Sequence, residues 1–485
     1  MPMQADPTEW AGYVGLYLPV LLAWILVSAP ILSYAVAWLG SGWILWLSIT
    51  GRVRPLPGDR TWDEQLFRPL FLSQGMFAGY LCLSSVFYVW DLVVLGGGGG
   101  MYSGTVDIEY IAAAQRYSVL GHAAFVHGIL VTMDYRRSGE WTIVSELSRA
   151  RLFLAVGIGA FALSAFFSQL PGLGQFAVKL QSLAAVGGVL GFAYALREGD
   201  VPVGLLGAGL YGWILVESFL SGWKEAPIVA VGLLLIALYP RYKRATLVAG
   251  AGAAVLLVSL LPAYNATFRQ LNWNEGLAEE KAAREAIDRI RSGRFDPGEE
   301  AWGFLTGRFT LIQNRARYVE HTPDHHPYYG FSIVEQGLQS IIPRVFWPDK
   351  PITERVAMER VYENGVVAQT SGASAKPSVI ADGYLSGGSF GVLLVCLVLG
   401  WIAGTASRMA ERWFGGYEAG GQVVFVGLFA GALLTASIEF LMNSLFWSFV
   451  LMGFLAGGLW LAGLLQWTGR SVEKRSTTAV RKSQA

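Results

Sequence analysis

The chain predicts an all-α, polytopic membrane protein, and three observations carry that prediction. Of its 485 residues, 53% are hydrophobic and only 15% charged, against about 25% charged in an ordinary soluble domain. Mean hydropathy is +0.44. Apolar runs of roughly 17–25 residues recur along the sequence, the length at which a helix crosses a bilayer with its backbone internally bonded. The 18 Trp, 20 Tyr and 59 Gly suit this class, since aromatic rings gather at membrane interfaces and glycine at helix–helix contacts.

Residues 11–50 hold no charge and are too long for one crossing. Pro30 divides them into two short helices, one long tilted helix with a re-entrant piece being the alternative. Residues 51–69 are polar and carry Arg52, Arg54, Arg60 and Arg68. Thr61 followed by Glu64 is a capping-box pattern and predicts a short interfacial helix. Further spans are expected at 70–95, 117–133, 152–169, 177–196, 201–221, 226–240, 245–263, 387–407, 421–441 and 445–467, about 12 transmembrane helices in all. The organisation is then an N-terminal bundle of about nine spans (1–263), a polar block (264–386), three C-terminal spans (387–468) and a basic tail (469–485). The N-terminal MPMQADPTEW lacks a basic region, so the first apolar run is expected to remain as a span.

Lys and Arg in short loops orient such a chain. Arg52, Arg54, Arg60, Arg68, Arg136, Arg137, Arg149, Arg151, Arg197, Arg241, Lys243, Arg244, Arg408 and Arg412 fall on one side, with Arg470, Lys474, Arg475, Arg481 and Lys482 of the tail. The other side's short loops hold Arg116, Lys179 and Lys224. The first side reads as cytoplasmic, with both termini, and the 264–386 block as periplasmic or exterior. A net charge of +1 predicts no nucleic-acid partner. Cys82 and Cys396 both sit in apolar runs and read as packing residues. Gly96 to Gly100 reads as a flexible turn, or as a mobile rim beside a groove. Of the ionisable residues inside spans, Asp91 and Glu439 fall near outer ends, where water would reach them. His122 and His127 are five apart and do not share a helical face. Glu217 completes that set. No repeat of fixed period is present, which weighs against a transporter.

The block carries 14 Lys/Arg and 16 Asp/Glu. Residues 275–291 form a helix pattern with Glu280–Arg284 and Glu285–Arg289 pairs, read as a solvated surface helix. Residues 302–318 read as a second helix, with Phe304, Leu305, Phe309, Ile312 and Ala316 at helical spacing. Arg308 and Arg315 would then lie two turns apart on one face and could grip a diphosphate, or pair with nearby carboxylates. His321, Asp324, His325 and His326 invite a metal reading. Pro323 and Pro327 break any helix there, however, and the spacing matches no zinc signature, so a loop in which one His assists proton transfer is expected. Next, 342–351 (IPRVFWPDKP) holds three prolines that predict a stiff, extended segment. Its Phe346 and Trp347 offer apolar faces to a sugar or the bilayer, beside Arg344 and Lys350. Asp382 is expected at the membrane surface, where the chain re-enters a span.

These features resemble the O-antigen polymerase family, the Wzy-type oligosaccharide repeat-unit polymerases. In that family a Pro-Arg-x-x-Trp-Pro-x-Lys-Pro-like stretch closes the external loop. Pro343, Arg344, Trp347, Pro348, Lys350 and Pro351 match it here. A Glu-x-Tyr-x-Asn-Phe-Gly-like stretch often starts the next span; here Asp382 stands for Glu, Tyr384 and Gly388 are kept, and Ser386 and Gly387 replace Asn and Phe. The specific motifs cover about 50 residues. The resemblance implies a metal-independent, cofactor-free glycosyltransferase with a GT-C-like fold in the bacterial inner membrane. Its substrates would be undecaprenyl-diphosphate-linked oligosaccharides, and a chain-length regulator and a flippase would be its partners. Arg344 would stabilise the leaving diphosphate, with Arg308, Arg315 and Lys350 assisting and Trp347 and Tyr384 contacting substrate. Asp382, Glu335 and His326, in that order, would accept the proton of the attacking hydroxyl. An O-antigen ligase, and a non-enzymatic flippase or exporter, are the alternatives.

Overall fold

The computed structural model describes residues 7–96, 106–135, 141–170, 174–222, 225–293, 297–370, 375–434 and 437–467. Gly97 to Gly100, Arg136, Arg137, Lys224 and the basic tail lie outside them. The described residues are 76% helical. Before the polar block run α1 (Pro7–Ile25), α2 (Pro30–Ile49), α3 (Leu72–Met76), α4 (Ser85–Val93), α5 (Ile108–Thr132), α6 (Arg149–Ser168), α7 (Gly174–Glu198), α8 (Val201–Leu220), α9 (Glu225–Leu238) and α10 (Lys243–Arg269). The block holds α11 (Glu279–Arg291), α12 (Pro297–Phe304), α13 (Ile312–His321), α14 (Ser332–Ile341) and α15 (Thr353–Glu363). After it come α16 (Val379–Trp413), α17 (Gln422–Phe425) and α18 (Ile438–Leu461). Two short antiparallel strands, β1 (Trp141–Ile143) and β2 (Leu465–Trp467), pair with Thr142 opposite Gln466.

Among the described residues, eight helices are long and apolar enough to cross a membrane, and Ala11–Ile25 and Ala226–Leu238 are shorter apolar helices. The chain is thus a multi-pass helical membrane protein. The break between α1 and α2 falls just before Pro30, where proline cannot continue the preceding helix. At 61–65 the capping box forms as read, on the 3-10 turn Trp62–Gln65. α5 is buried along most of its length, so its role is that of a central post. The 421–441 run is not one straight helix: π-turns Tyr417–Gly421 and Val426–Ala430 flank α17, as glycine-rich sequence permits.

Glycine sets the central contact. A Cβ on Gly400 would lie 1.9 Å from the Phe125 carbonyl oxygen, and one on Gly128 would lie 2.2 Å from that of Leu397. α5 and α16 therefore pack backbone to backbone, the mode small residues allow in membranes. α6 and α7 do the same through Gly157 and Gly187.

α16 is two helices. At Gly387 and Gly388 the chain leaves helical geometry, and Gly388 has φ 59°, a left-handed conformation that favours glycine. A Cβ on Gly391 would meet the Gly383 carbonyl at 2.0 Å, and both Ile380 and Cys396 approach Gly121. Residues 379–386 therefore form a half-helix that doubles back beside the span following it. Asp382 lies within this hairpin, fully buried, so its side chain is packed inside the protein. The glycine pair makes the turn that places it there.

Gly400→Val should force α5 and α16 apart and cost about 2 kcal/mol or more. Gly42→Val, where a Cβ meets open space, should leave thermal unfolding of the detergent-purified protein nearly unchanged. Equal melting of the two variants would contradict this packing.

Candidate functional site around Arg360 and the histidine loop

Three parts of the chain meet at a buried ion cluster. Arg360, on α15, donates from Nη1 to Glu439 Oε1 at 2.5 Å and to Gln336 Oε1 at 2.9 Å. Its Nη2 donates to Glu439 Oε2 at 3.0 Å and to Asp382 Oδ1 at 3.1 Å. Arg360, Asp382 and Glu439 are 2%, 0% and 1% exposed. Two carboxylates share one guanidinium, and α18 offsets part of the remaining negative charge. The Ile438 N–H at its first turn donates to Asp382 Oδ2 at 2.7 Å, where the helix dipole also favours an anion. Burial works against the charge of Arg360, yet the two carboxylates outweigh it and hold its proton above the ordinary arginine range. Glu439 is thus a buried partner and not a wetted span end, because the cap covers it. Asp91, only partly buried, accepts the Trp302 indole N–H at 2.7 Å.

The 342–351 segment is linked to Glu439 through Ser340. Ile342 takes an extended conformation, as a residue before proline does, and ends α14. Lys350 Nζ then donates to the Ser340 and Ile342 carbonyls at 2.8 and 2.7 Å. The Ser340 hydroxyl donates to the Glu439 carbonyl at 2.8 Å. Burial and the neighbouring Arg344 lower the Lys350 pKa. Arg344 donates to the carbonyls of Pro348, Lys350 and Pro351, so the segment closes as two turns and is not extended. Phe346 is 81% exposed and Trp347 half-buried.

On the other side of the hairpin, the histidine loop is bonded to Tyr384 and Leu385. Tyr329 N–H donates to the Leu385 carbonyl at 2.9 Å, and the Tyr384 hydroxyl donates to that of Thr322. His326 Nδ1–H donates to the Pro327 carbonyl at 2.7 Å. Its Nε2 faces Glu363 Oε2 at 3.9 Å, and its ring stacks on Tyr329 at 4.5 Å. The Tyr329 hydroxyl donates to the same Glu363 oxygen at 2.5 Å; burial and that carboxylate raise the tyrosine's pKa. Trp24, Tyr117, Tyr384 and Tyr328 continue as a chain of ring contacts between 4.7 and 5.9 Å. Beneath Trp24 lies Arg116, 8% exposed, bonded to the Ser33 hydroxyl at 2.9 Å. No carboxylate pairs with it among the described residues.

Arg308 and Arg315 do not share a helical face. Thr310 is extended and interrupts the predicted 302–318 helix, leaving Arg308 on the π-turn Leu305–Phe309 and Arg315 on α13. Arg315 is 3% exposed, and its Nη2 donates to the Leu81 carbonyl at 2.7 Å, a group on the π-turn Phe77–Leu83. Burial lowers its pKa to about 10. Glu335 is exposed on the first turn of α14. Arg360, Glu363, Arg116 and Glu439 are the residues that sequence reasoning missed or passed over as functional. A charged residue in the span-like stretches was the available signal for Arg116 and Glu439; nothing local distinguished Arg360 from Arg355.

Arg360→Met should leave two buried carboxylates without a partner and cost about 3–5 kcal/mol. Adding Glu439→Gln should recover part of that loss in thermal unfolding. By contrast, Arg315→Met removes a charge that has one carbonyl partner and should be neutral or stabilising.

No curated protein and no solved structure matches the chain. A family model described as a domain of unknown function, DUF8712, matches residues 18–466. That match takes in both membrane bundles, the polar block and every residue of the cluster, and the chain belongs to the DUF8712 family.

Proposed function

We propose that this protein is a polymerase of bacterial surface polysaccharide. It would transfer a growing glycan from undecaprenyl diphosphate to a new lipid-linked repeat unit at the outer face of the inner membrane. The observation that carries the reading is convergence. Of the two stretches that resemble the Wzy-type polymerases, 382–388 supplies Asp382 to the Arg360–Asp382–Glu439 cluster and is bonded to the histidine loop, while 343–351 is tied through Lys350 to Ser340, whose hydroxyl bonds the Glu439 carbonyl. Counting the shorter apolar helices, α5 and the broken 417–434 segment as crossings gives twelve passes, the number this reading takes, with a GT-C-like arrangement as its proposed fold. The termini are then cytoplasmic and the polar block periplasmic.

In this reading the roles shift among the candidates. Asp382 is held by Arg360 and the Ile438 N–H, so it positions the hairpin and does not take a proton. His326, half-buried and backed by Glu363, accepts the proton of the attacking sugar hydroxyl at Nε2. That oxygen bonds to the anomeric carbon as the carbon–phosphate-oxygen bond breaks. The lipid diphosphate leaves with the electron pair, and Arg116 stabilises its charge. The tyrosine chain gives a sugar its apolar floor. Arg344 and Lys350 shape the loop that covers Glu439.

Surface glycan from cells lacking the gene should show single repeats, and a ladder should return with the wild-type gene. His326→Gln should lower polymer formation about 10²-fold or more at unchanged membrane abundance, and Arg116→Met should do likewise. Lipid-linked units trapped inside the deletion strain would indicate a flippase, and finished polymer held on its carrier a ligase.

A further inference from the structure

A separate cavity opens between the end of α10 and α12, away from the cluster. Its volume is ≈ 330 Å³, and Asn265, Arg269, Glu299, Glu300, Phe304 and Arg308 line it. That size is at the low end of small-molecule sites, roughly 300–1,000 Å³. Asn265 is 4% exposed, and neither its amide nitrogen nor its amide oxygen has a hydrogen-bond partner. A buried carboxamide left in this way costs free energy and points to a ligand that both accepts and donates. The Arg269 guanidinium is anchored, donating from Nε to the Gly222 carbonyl at 2.8 Å and lying over Trp273 at 4.6 Å.

Two features narrow the ligand. First, the charged lining balances, with two guanidinium groups and two carboxylates. A polyanion would meet repulsion from Glu299 and Glu300, whereas a head group with one phosphate and one ammonium matches both signs. Second, α10 is the least covered of the candidate spans, with 11% of its apolar window buried. Val248 and Val255, on the side of the helix that lines the cavity, are 74% and 67% exposed. At about 1.5 Å per residue, Val255 lies about 15 Å below Asn265. That leaves an apolar track for acyl chains leading to the polar cavity.

We propose that this cavity binds the head group of a zwitterionic phospholipid bearing a primary ammonium, with its acyl chains on the exposed face of α10. The phosphate takes Arg308, Arg269 and the Asn265 amide N–H; the ammonium donates to Glu300, Glu299 and the Asn265 oxygen. The inference is independent of the polymerase reading.

The test is lipid retention by the full-length purified protein, read by native mass spectrometry. Phosphatidylethanolamine, phosphatidylglycerol and phosphatidylcholine of identical acyl chains would be offered in equal amounts. Phosphatidylethanolamine should be retained about tenfold over both others, the factor that one missing charge-assisted hydrogen bond gives. Glu300→Gln, an exposed position that should fold normally, should reduce that preference over phosphatidylglycerol. Arg308→Gln and Asn265→Leu should lower retention of all three. Equal retention of the three lipids by the wild-type protein overturns the proposal. So does a preference for phosphatidylglycerol, or a phosphatidylethanolamine preference that survives both Arg308→Gln and Asn265→Leu.

Discussion

The Arg360–Asp382–Glu439 cluster is the constraint on which the arrangement of cap and membrane bundle depends. Its members come from α15 in the cap, from the doubled-back half of α16 and from the start of α18. Burying three charges is costly, and such a group contributes little net stability over a well-packed apolar core. Its effect is on position. Asp382 can satisfy its oxygens only where the Arg360 fork and the Ile438 N–H are both within reach, which fixes the hairpin against α18 and the cap against both. A second charged clamp, Arg68 with Glu411 and Asp59, ties the 51–71 loop to the far end of α16, so this long helix is held by buried ions at both ends.

Much of the fold was readable because it rests on local rules. Apolar length gave the spans, Pro30 the break between the first two, and Thr61 with Glu64 the capping box. What could not be read depends on partners distant in sequence. α5 carries fewer apolar residues than a lipid-facing span and is buried along most of its length, with Gly128 on it meeting the backbone of α16. The hairpin at Gly387 and Gly388 looked like ordinary degradation of a motif. Its role shows only when Gly383 and Gly391 are seen back to back.

The site was partly legible for the same reason. Of the stretches the sequence singled out, 382–388 and the histidine loop are bonded together, and 342–351 reaches Glu439 through Ser340. Sequence reasoning misjudged which side chains in them face outward. Arg344 and Lys350 stood out by type, yet each donates to backbone carbonyls of its own loop or of the end of α14. Arg308 and Arg315 were paired on an unbroken helix, and Thr310 breaks it. Arg360 sat unnoticed in an ordinary amphipathic helix because its two acidic partners are 22 and 79 residues away.

The cluster and the histidine loop are also mechanically linked. Tyr329 and Tyr384 bond the loop to the hairpin on either side of its turn, and Tyr329 shares Glu363 with His326. Glu363 in turn lies on α15, one turn beyond Arg360. A shift of α15 relative to the hairpin would therefore move Glu363 and the loop in different directions and open the 3.9 Å approach to His326. The buried ions prevent that shift. Their distance from solvent is an advantage here, because a pair screened by water would hold the geometry far less firmly. Placing charge where it is expensive makes the alternatives to this one arrangement more expensive still, and the accessible histidine inherits that precision.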